Sequence, residues 1–264
     1  VRFAGRLAYD GTQYQGFQRQ KPGVPTVQAA IEDALQAILN RPITITGAGR
    51  TDSGVHASGQ VIAFEADWQH RPLDLLRAAN ANLPADIALQ SLGEVDESFH
   101  PRFDARSRTY VYQMVIAPVR DPLRERYFWQ HRQILALAPM REAAQHLVGE
   151  HDFATFGQPT QGESTIRCVT RLEIEAVGDM ISLTIEANAF LQRMVRSITG
   201  TLVDVGRSKM TVAAFVQAFE KAERSQAGPS APPQGLTLTQ VTYEPGVGPQ
   251  EVEHISVEPS KINR

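Results

Sequence analysis

Apolar and polar residues alternate over residues 2–10, with Phe3, Leu7 and Tyr9 on one side, the period of a half-buried strand. The period then changes. After Pro25, Thr26 is placed to cap a helix in which Val27, Ala30, Ile31, Ala34, Leu35 and Ile38 recur at helical spacing, and Asn40-Arg41-Pro42 ends it. Residues 43–46 read as a short strand running into a glycine-rich loop, 47–56, and residues 59–65 as the strand that leaves it. A second helix is predicted from Pro72, with Leu73, Leu76 and Ala79 on its apolar side, followed by strand-like residues over 87–92. Residues 107–116 alternate again and set Tyr110, Tyr112 and Met114 on the face opposite Val111 and Val115.

The second half repeats this order. Residues 139–148 form a helical pattern stopped by Gly149, and 167–177 and 180–187 read as strands joined at Gly178-Asp179. Residues 190–205 carry the clearest apolar stripe of the chain, Phe190, Leu191, Met194, Ile198, Leu202 and Val205, with Arg193, Arg196 and Gly200 opposite. A further helix over 211–222 uses Val212, Phe215, Val216 and Phe219, a loop with three prolines spans 228–235, and 237–243 is a closing strand. The expectation is an α/β protein of the α+β kind: two similar lobes, 1–104 and 105–244, with mixed or antiparallel sheets, helices packed on one face, and a site in the cleft between them. The tail, 245–264, is poor in aromatics and is expected to be mobile.

Composition adds exclusions more than directions. Of 264 residues 42% are hydrophobic and 21% charged, enough apolar surface for most of the chain to fold. The single cysteine, Cys168, rules out an intramolecular disulfide and a cysteine-rich zinc site, and fits a reducing cytoplasm. No apolar run approaches a bilayer span, and no targeting segment is read. A net charge of −3 gives no global sign of nucleic acid, yet only four of the 26 basic residues are lysine, and seven arginines between Pro101 and Arg132 face only Asp104, Asp121 and Glu125. On composition alone an arginine-rich genome with a solvated face is the better account of that pattern.

The loop Gly47-Ala48-Gly49-Arg50-Thr51-Asp52-Ser53-Gly54-Val55-His56 concentrates the chemistry. Its glycines let a bulky substrate approach the main chain. Asp52 and His56 are conceivable metal ligands, but no third partner clusters with them in sequence. The loop lacks both the third glycine of a dinucleotide fingerprint and the Gly-Lys-Ser/Thr of a phosphate loop. An Asp beside Gly and Ser also commonly does no more than cap a turn.

Taken further, GAGRTDSGVHASGQVIAF over residues 47–64 resembles the signature of the TruA family of tRNA pseudouridine synthases around its catalytic aspartate. The resemblance continues in order through Tyr9-Asp10-Gly11, Gly16-Phe17-Gln18-Arg19-Gln20, Asn80-Ala81-Asn82-Leu83-Pro84, Phe99-His100-Pro101-Arg102-Phe103-Asp104-Ala105 and Arg108-Thr109-Tyr110. It goes on through His151-Asp152-Phe153, Ala189-Phe190-Leu191, Met194-Val195-Arg196, Gly200-Thr201-Leu202 and Gly235-Leu236. The chain departs from the family pattern at Ser53, where alanine is more usual, at Gly157-Gln158, where a basic residue is common, and at Arg207-Ser208-Lys209.

The resemblance implies isomerisation of uridine to pseudouridine at positions 38, 39 and 40 of the tRNA anticodon stem-loop, with no cofactor and no metal. It implies Asp52 as nucleophile, Arg196 as its paired cation and Tyr110 in the target-uridine pocket, stacking on the base and helping to remove the C5 proton. By position alone Arg196 reads as a solvated helical arginine and Tyr110 as a core residue. The same resemblance sets Arg50 to fill the stack vacated by a flipped base, Leu236 as an apolar wall with Gly235 allowing a bend, and His56 at the substrate. Gln18, Arg19, Lys21, Arg102, Arg106 and Arg108 are candidate RNA contacts, and a homodimer is implied. The rival readings are a noncatalytic RNA-binding protein on the same fold and a metal-dependent nuclease or phosphodiesterase.

Overall fold

The computed structural model describes residues 1–159 and 162–249; from residue 250 onward the tail expected to be mobile lies outside the described residues. The first half contains β1 (Arg2–Tyr9), α1 (Val27–Leu39), β2 (Thr46–Gly47), β3 (His56–Glu65), α2 (Pro72–Asn82), β4 (Ile87–Leu89) and β5 (Gly93–Glu94). The second contains β6 (Ser107–Ile116), β7 (Trp129–His131), α3 (Leu137–Gln145), β8 (Gly149–Asp152), β9 (Ile166–Val177), β10 (Met180–Ala187), α4 (Met194–Gly206), α5 (Val212–Glu220) and β11 (Leu236–Thr242).

The sheets expected in two lobes are joined edge to edge into one, ordered β4-β1-β3-β11-β6-β10-β9-β8, with β2, β5 and β7 as side branches. The seam is the parallel pairing of β11 with β3, Thr237 opposite His56 and Leu238 opposite Ala57. β6 with β7 is also parallel, and the remaining pairs are antiparallel. The last strand of the described residues, β11, therefore returns to the middle of the sheet and carries the segment before it, 228–235, next to the glycine-rich loop that precedes β3.

Alternation decides which face is covered. Phe3 and Leu7 of β1, Ile62 and Phe64 of β3, Tyr110, Tyr112 and Met114 of β6 and Ile181, Leu183 and Ile185 of β10 join the helices in one continuous apolar core. Among the described residues the opposite face holds only a small cluster, Ala4, Ala63 and Phe99 with Val95 and Tyr243 against it. The helices thus share one face of the sheet.

Several boundaries differ from the sequence pattern for local reasons. The stretch 43–46 is not a strand: the Ile45 N–H donates to the buried Glu32 carboxylate at 2.9 Å, and only Thr46 and Gly47 pair with β3. α2 buries Leu75 and Ala79, leaving Leu73 and Leu76 half-buried. α3 begins before Pro139, which sits in the first turn where its missing N–H costs nothing. Phe190 and Leu191 precede α4, because Arg193 at the helix start is left-handed (φ 62°) and Gln192 forms a bridge with Gln158. Their apolar side chains continue the helical stripe in sequence without being helical.

Candidate active site

Between β2 and β3 the glycine-rich loop is held by its backbone and its neighbours. The Ala48 N–H donates to Val61 O at 2.8 Å, and the buried Gln60 amide brackets Gly49, donating to its carbonyl at 2.8 Å and accepting its N–H at 3.3 Å. Thr51 O accepts the Phe17 N–H at 3.1 Å, and the Thr51 hydroxyl meets the Tyr9 hydroxyl at 2.8 Å. Ser53 Oγ and the Gly54 N–H both donate to Tyr14 O. Gly16 (φ +96°) passes so close that a Cβ there would lie 2.8 Å from Thr51 O, so the turn before α1 requires glycine. None of these bonds uses the Asp52 carboxylate; its backbone carbonyl accepts the Val55 N–H at 3.1 Å. The turn is closed by main chain, and the side chain is free to serve the cleft.

That carboxylate is met by Arg196 of α4. Arg196 Nη1 donates to Asp52 Oδ2 at 3.0 Å, and its Nε donates to Ala231 O at 2.8 Å, which fixes the guanidinium against the proline-rich loop. The two side chains retain 15% and 26% exposure, so the pair is partly desolvated yet reachable. Tyr110 of β6 lines the same cleft at 8% exposure, with Phe190 edge-on to its ring at 5.1 Å. Burial, with smaller contributions from Tyr9 and Asp52, pushes the Tyr110 hydroxyl well above the ordinary phenol range. Arg50 is exposed on the wall, and Leu236 is a buried apolar lining residue. The cleft, about 1160 Å³, also takes in Phe17, Gln18, Arg102, Phe103, Arg167 and Arg193.

Several expected site residues have other roles. His56 is buried behind the loop: its Nδ1 accepts the Gly11 N–H at 3.0 Å and its Nε2 faces Arg126 O and Gln234 O at 3.2 and 3.1 Å, so the ring locks three segments and does not line the cleft. Arg108 reaches the cleft wall but is a buried staple, with its guanidinium donating to Ala48 O, Arg102 O, Ala105 O and Asn188 O. Arg106 pairs with Glu244, outside the cleft lining. Arg19 lines the cleft but is tied to the buried Glu32, and Lys21 is exposed outside the lining. Gly235 does not supply a bend through positive φ; a Cβ there would lie 2.7 Å from the Tyr112 ring, so glycine is needed for close packing.

The pattern of residues missed Phe190, Arg193 and Gln60 as parts of the site. Gln60 carried a readable signal, a lone amide in the apolar run 59–64. Among the described residues no three His, Cys, Asp or Glu side chains come together, and no helix is long and apolar enough to cross a membrane.

A family model described as tRNA pseudouridine synthase matches residues 7–104 and 143–244. The tRNA pseudouridine synthase A of Neisseria gonorrhoeae is 41% identical over 249 residues, 94% of each chain, and that of Brevibacillus brevis is 44% identical over 239 residues, 90% of this chain and 97% of its own. The chain belongs to the tRNA pseudouridine synthase family. The matched segments of this pseudouridine synthase carry Asp52 and Gln60 on one side and Arg196 and Leu236 on the other, while Tyr110 and Arg108 fall between them. A solved Cbf5-Nop10-Gar1 complex aligns at a TM-score of 0.37 and 16% identity, over 87% of this chain and 49% of that one.

Proposed function

We propose that this isomerase converts uridine to pseudouridine at positions 38, 39 and 40 of the tRNA anticodon stem-loop, with Asp52 as the nucleophile. The observation that carries the reading is the Arg196–Asp52 ion pair, 3.0 Å long, inside a cleft that Tyr110 and Leu236 also line. The reaction breaks the bond from N1 to the ribose, turns the base and rejoins it through C5, losing the C5 proton and gaining one at N1. It needs an anionic nucleophile, a counter-charge that keeps it so away from water, and an apolar slot for the base. Asp52, Arg196 and the pair Tyr110 and Leu236 supply these in turn.

Tyr110 enters the reaction as a neutral hydroxyl, because its surroundings disfavour the phenolate. Its ring is the stacking wall for the uracil, and its hydroxyl can pass a proton along a relay but is no resting base. A stacked uridine cannot reach Asp52, so the base is flipped out at a cost of a few kcal/mol, with the exposed Arg50 side chain available to fill the gap. The reading includes a homodimer whose protomers share one stem-loop, in the cytoplasm; a lone monomer in sedimentation at working concentration contradicts the dimer.

The testing substitution is Arg196→Met. Loss of at least a hundredfold in turnover on unmodified tRNA, with binding retained, is expected from removing a preorganised charge at the reacting group. Unchanged turnover in a folded variant removes Arg196 from the mechanism.

A further inference from the structure

One large apolar side chain at the cleft stays exposed. Phe103 lines the cleft and is 71% exposed. The turn that holds it is unusually well tied for so exposed a residue. The His100 N–H donates to the Asp104 carboxylate at 2.8 Å and Asp104 N–H returns to His100 O at 3.0 Å. His100 Nδ1 accepts the N–H groups of both Arg102 and Phe103, at 3.2 and 3.3 Å. From outside, Tyr243 Oη donates to Pro101 O at 2.7 Å and Arg108 donates to Arg102 O. The ring itself is flanked by the His100 imidazole, centroids 4.2 Å apart, and by the Arg102 guanidinium 5.7 Å from its centre.

Such a residue gains nothing for the free fold, since an exposed phenyl ring recovers little hydrophobic stabilisation. What the turn achieves is presentation of a flat apolar face at a fixed place. The surroundings are cationic: Arg50, Arg102 and Arg193 line the same cleft, and none of them belongs to an ion pair among the described residues. A rigid aromatic face amid uncommitted arginines is the combination that receives an unpaired base and the phosphates beside it. Tyr110 with Leu236 already forms the slot assigned to the target uracil. We propose that Phe103 is a second stacking surface, receiving an unpaired base of the tRNA other than the target uridine. The proposal rests on the RNA substrate of the reading above, and it adds a subsite that the chemistry of one flipped base does not require.

The experiment is tRNA binding and steady-state kinetics for Phe103→Ala, Phe103→Leu and Phe103→Trp in the full chain, with sedimentation of each. Loss of one base–aromatic stack weakens tRNA affinity about tenfold or more. The expected pattern is that weakening for Phe103→Ala, little recovery with the aliphatic Phe103→Leu and full recovery with Phe103→Trp, with the loss appearing mainly in KM. Wild-type affinity in Phe103→Ala overturns the proposal. Equal recovery by Phe103→Leu also overturns it, reducing the ring to a general apolar contact, and dissociation of an oligomer by Phe103→Ala overturns it by identifying the ring as a contact between copies of the chain. Because affinity is read directly, the outcome stands apart from whether Asp52 is the nucleophile.

Discussion

Replacing Arg108 by methionine is expected to cost the fold stability and leave the salt dependence of tRNA binding alone. The guanidinium donates to Arg102 O at 2.5 Å, Asn188 O at 2.9 Å, Ala48 O at 3.0 Å and Ala105 O at 3.2 Å, so one side chain pins the glycine-rich loop, the turn bearing Phe103 and the exit from β10. A hydrogen bond involving a charged group is worth about 1.5–3 kcal/mol net, and four would sum to roughly 6–12 kcal/mol. That sum overshoots. Taking a guanidinium out of water costs several kcal/mol, and water can re-enter at Ala48 and Arg102, which line the open cleft. Methionine keeps most of the apolar stem in place. A net loss of about 3–4 kcal/mol remains, roughly a 6–16 °C fall in Tm for a chain of this size. Thermal unfolding measures it, alongside tRNA affinity from low to physiological salt at a temperature where the variant is folded. A Tm within about 2 °C of wild type, together with a salt slope smaller by about one, would refute the reasoning and return Arg108 to the phosphate contacts.

Three other outcomes follow from the same geometry. Arg50→Met is expected to lower the salt slope of tRNA binding by about one without changing Tm, since its side chain is exposed on the cleft wall; an unchanged slope means that Arg50 reaches no phosphate. Gly235→Ala sets a Cβ 2.7 Å from the ring of Tyr112, which cannot swing away because its hydroxyl donates to Pro232 O at 2.7 Å, so a loss of about 1–3 kcal/mol and slower turnover through a displaced Leu236 are expected, and a wild-type Tm contradicts the packing. Burial, reinforced by Arg207, pulls the His131 imidazole from 6.5 down to about 4. The unfolded chain therefore takes up a proton that the folded chain refuses, so stability falls as pH drops from about 6.5 towards 4 and the loss from this group is complete below that, about 2–3 kcal/mol. Urea unfolding of His131→Gln is expected to show a flatter acid limb than wild type, and an identical limb assigns the loss to other groups.

What the residue pattern conveyed depended on whether the deciding partner was close in sequence. Thr26, Pro72 and Thr211 mark helix starts by local capping or fixed φ, and the helices begin where these residues say. Residues 43–46 and 190–193 misled because the decisive interactions, Glu32 with the Ile45 N–H and Gln192 with Gln158, come from distant chain and leave no mark in periodicity. The cleft shows the same division. Asp52 was conspicuous among glycines, but from spacing alone Arg196, 144 positions away, was an ordinary helical arginine; only the family resemblance singled it out before the fold brought the two together. The other arginines show the limit more sharply. Arg102, Arg106 and Arg108 look alike in sequence, yet Arg106 pairs with Glu244 outside the cleft, and of the two that line it Arg102 is unpaired among the described residues while Arg108 is buried among carbonyls, because a guanidinium's role is set by the acceptors that reach it. His56 stood beside Asp52 in the motif and faces the opposite way, into Gly11 and the carbonyls of Arg126 and Gln234. The chain turns between them, at Gly54 with φ +77°, so nearness in a motif is no measure of nearness to a substrate.

The central claim is that Asp52 is the nucleophile of a uridine isomerisation in tRNA, and it is tested most directly by incubating unmodified tRNA carrying uridine at positions 38 to 40 with wild type and with Asp52→Asn, in a chelator, and assaying pseudouridine. Pseudouridine from wild type alone, with both proteins binding the tRNA, is the predicted result. Pseudouridine formed equally by Asp52→Asn, or by neither protein despite binding, contradicts the account.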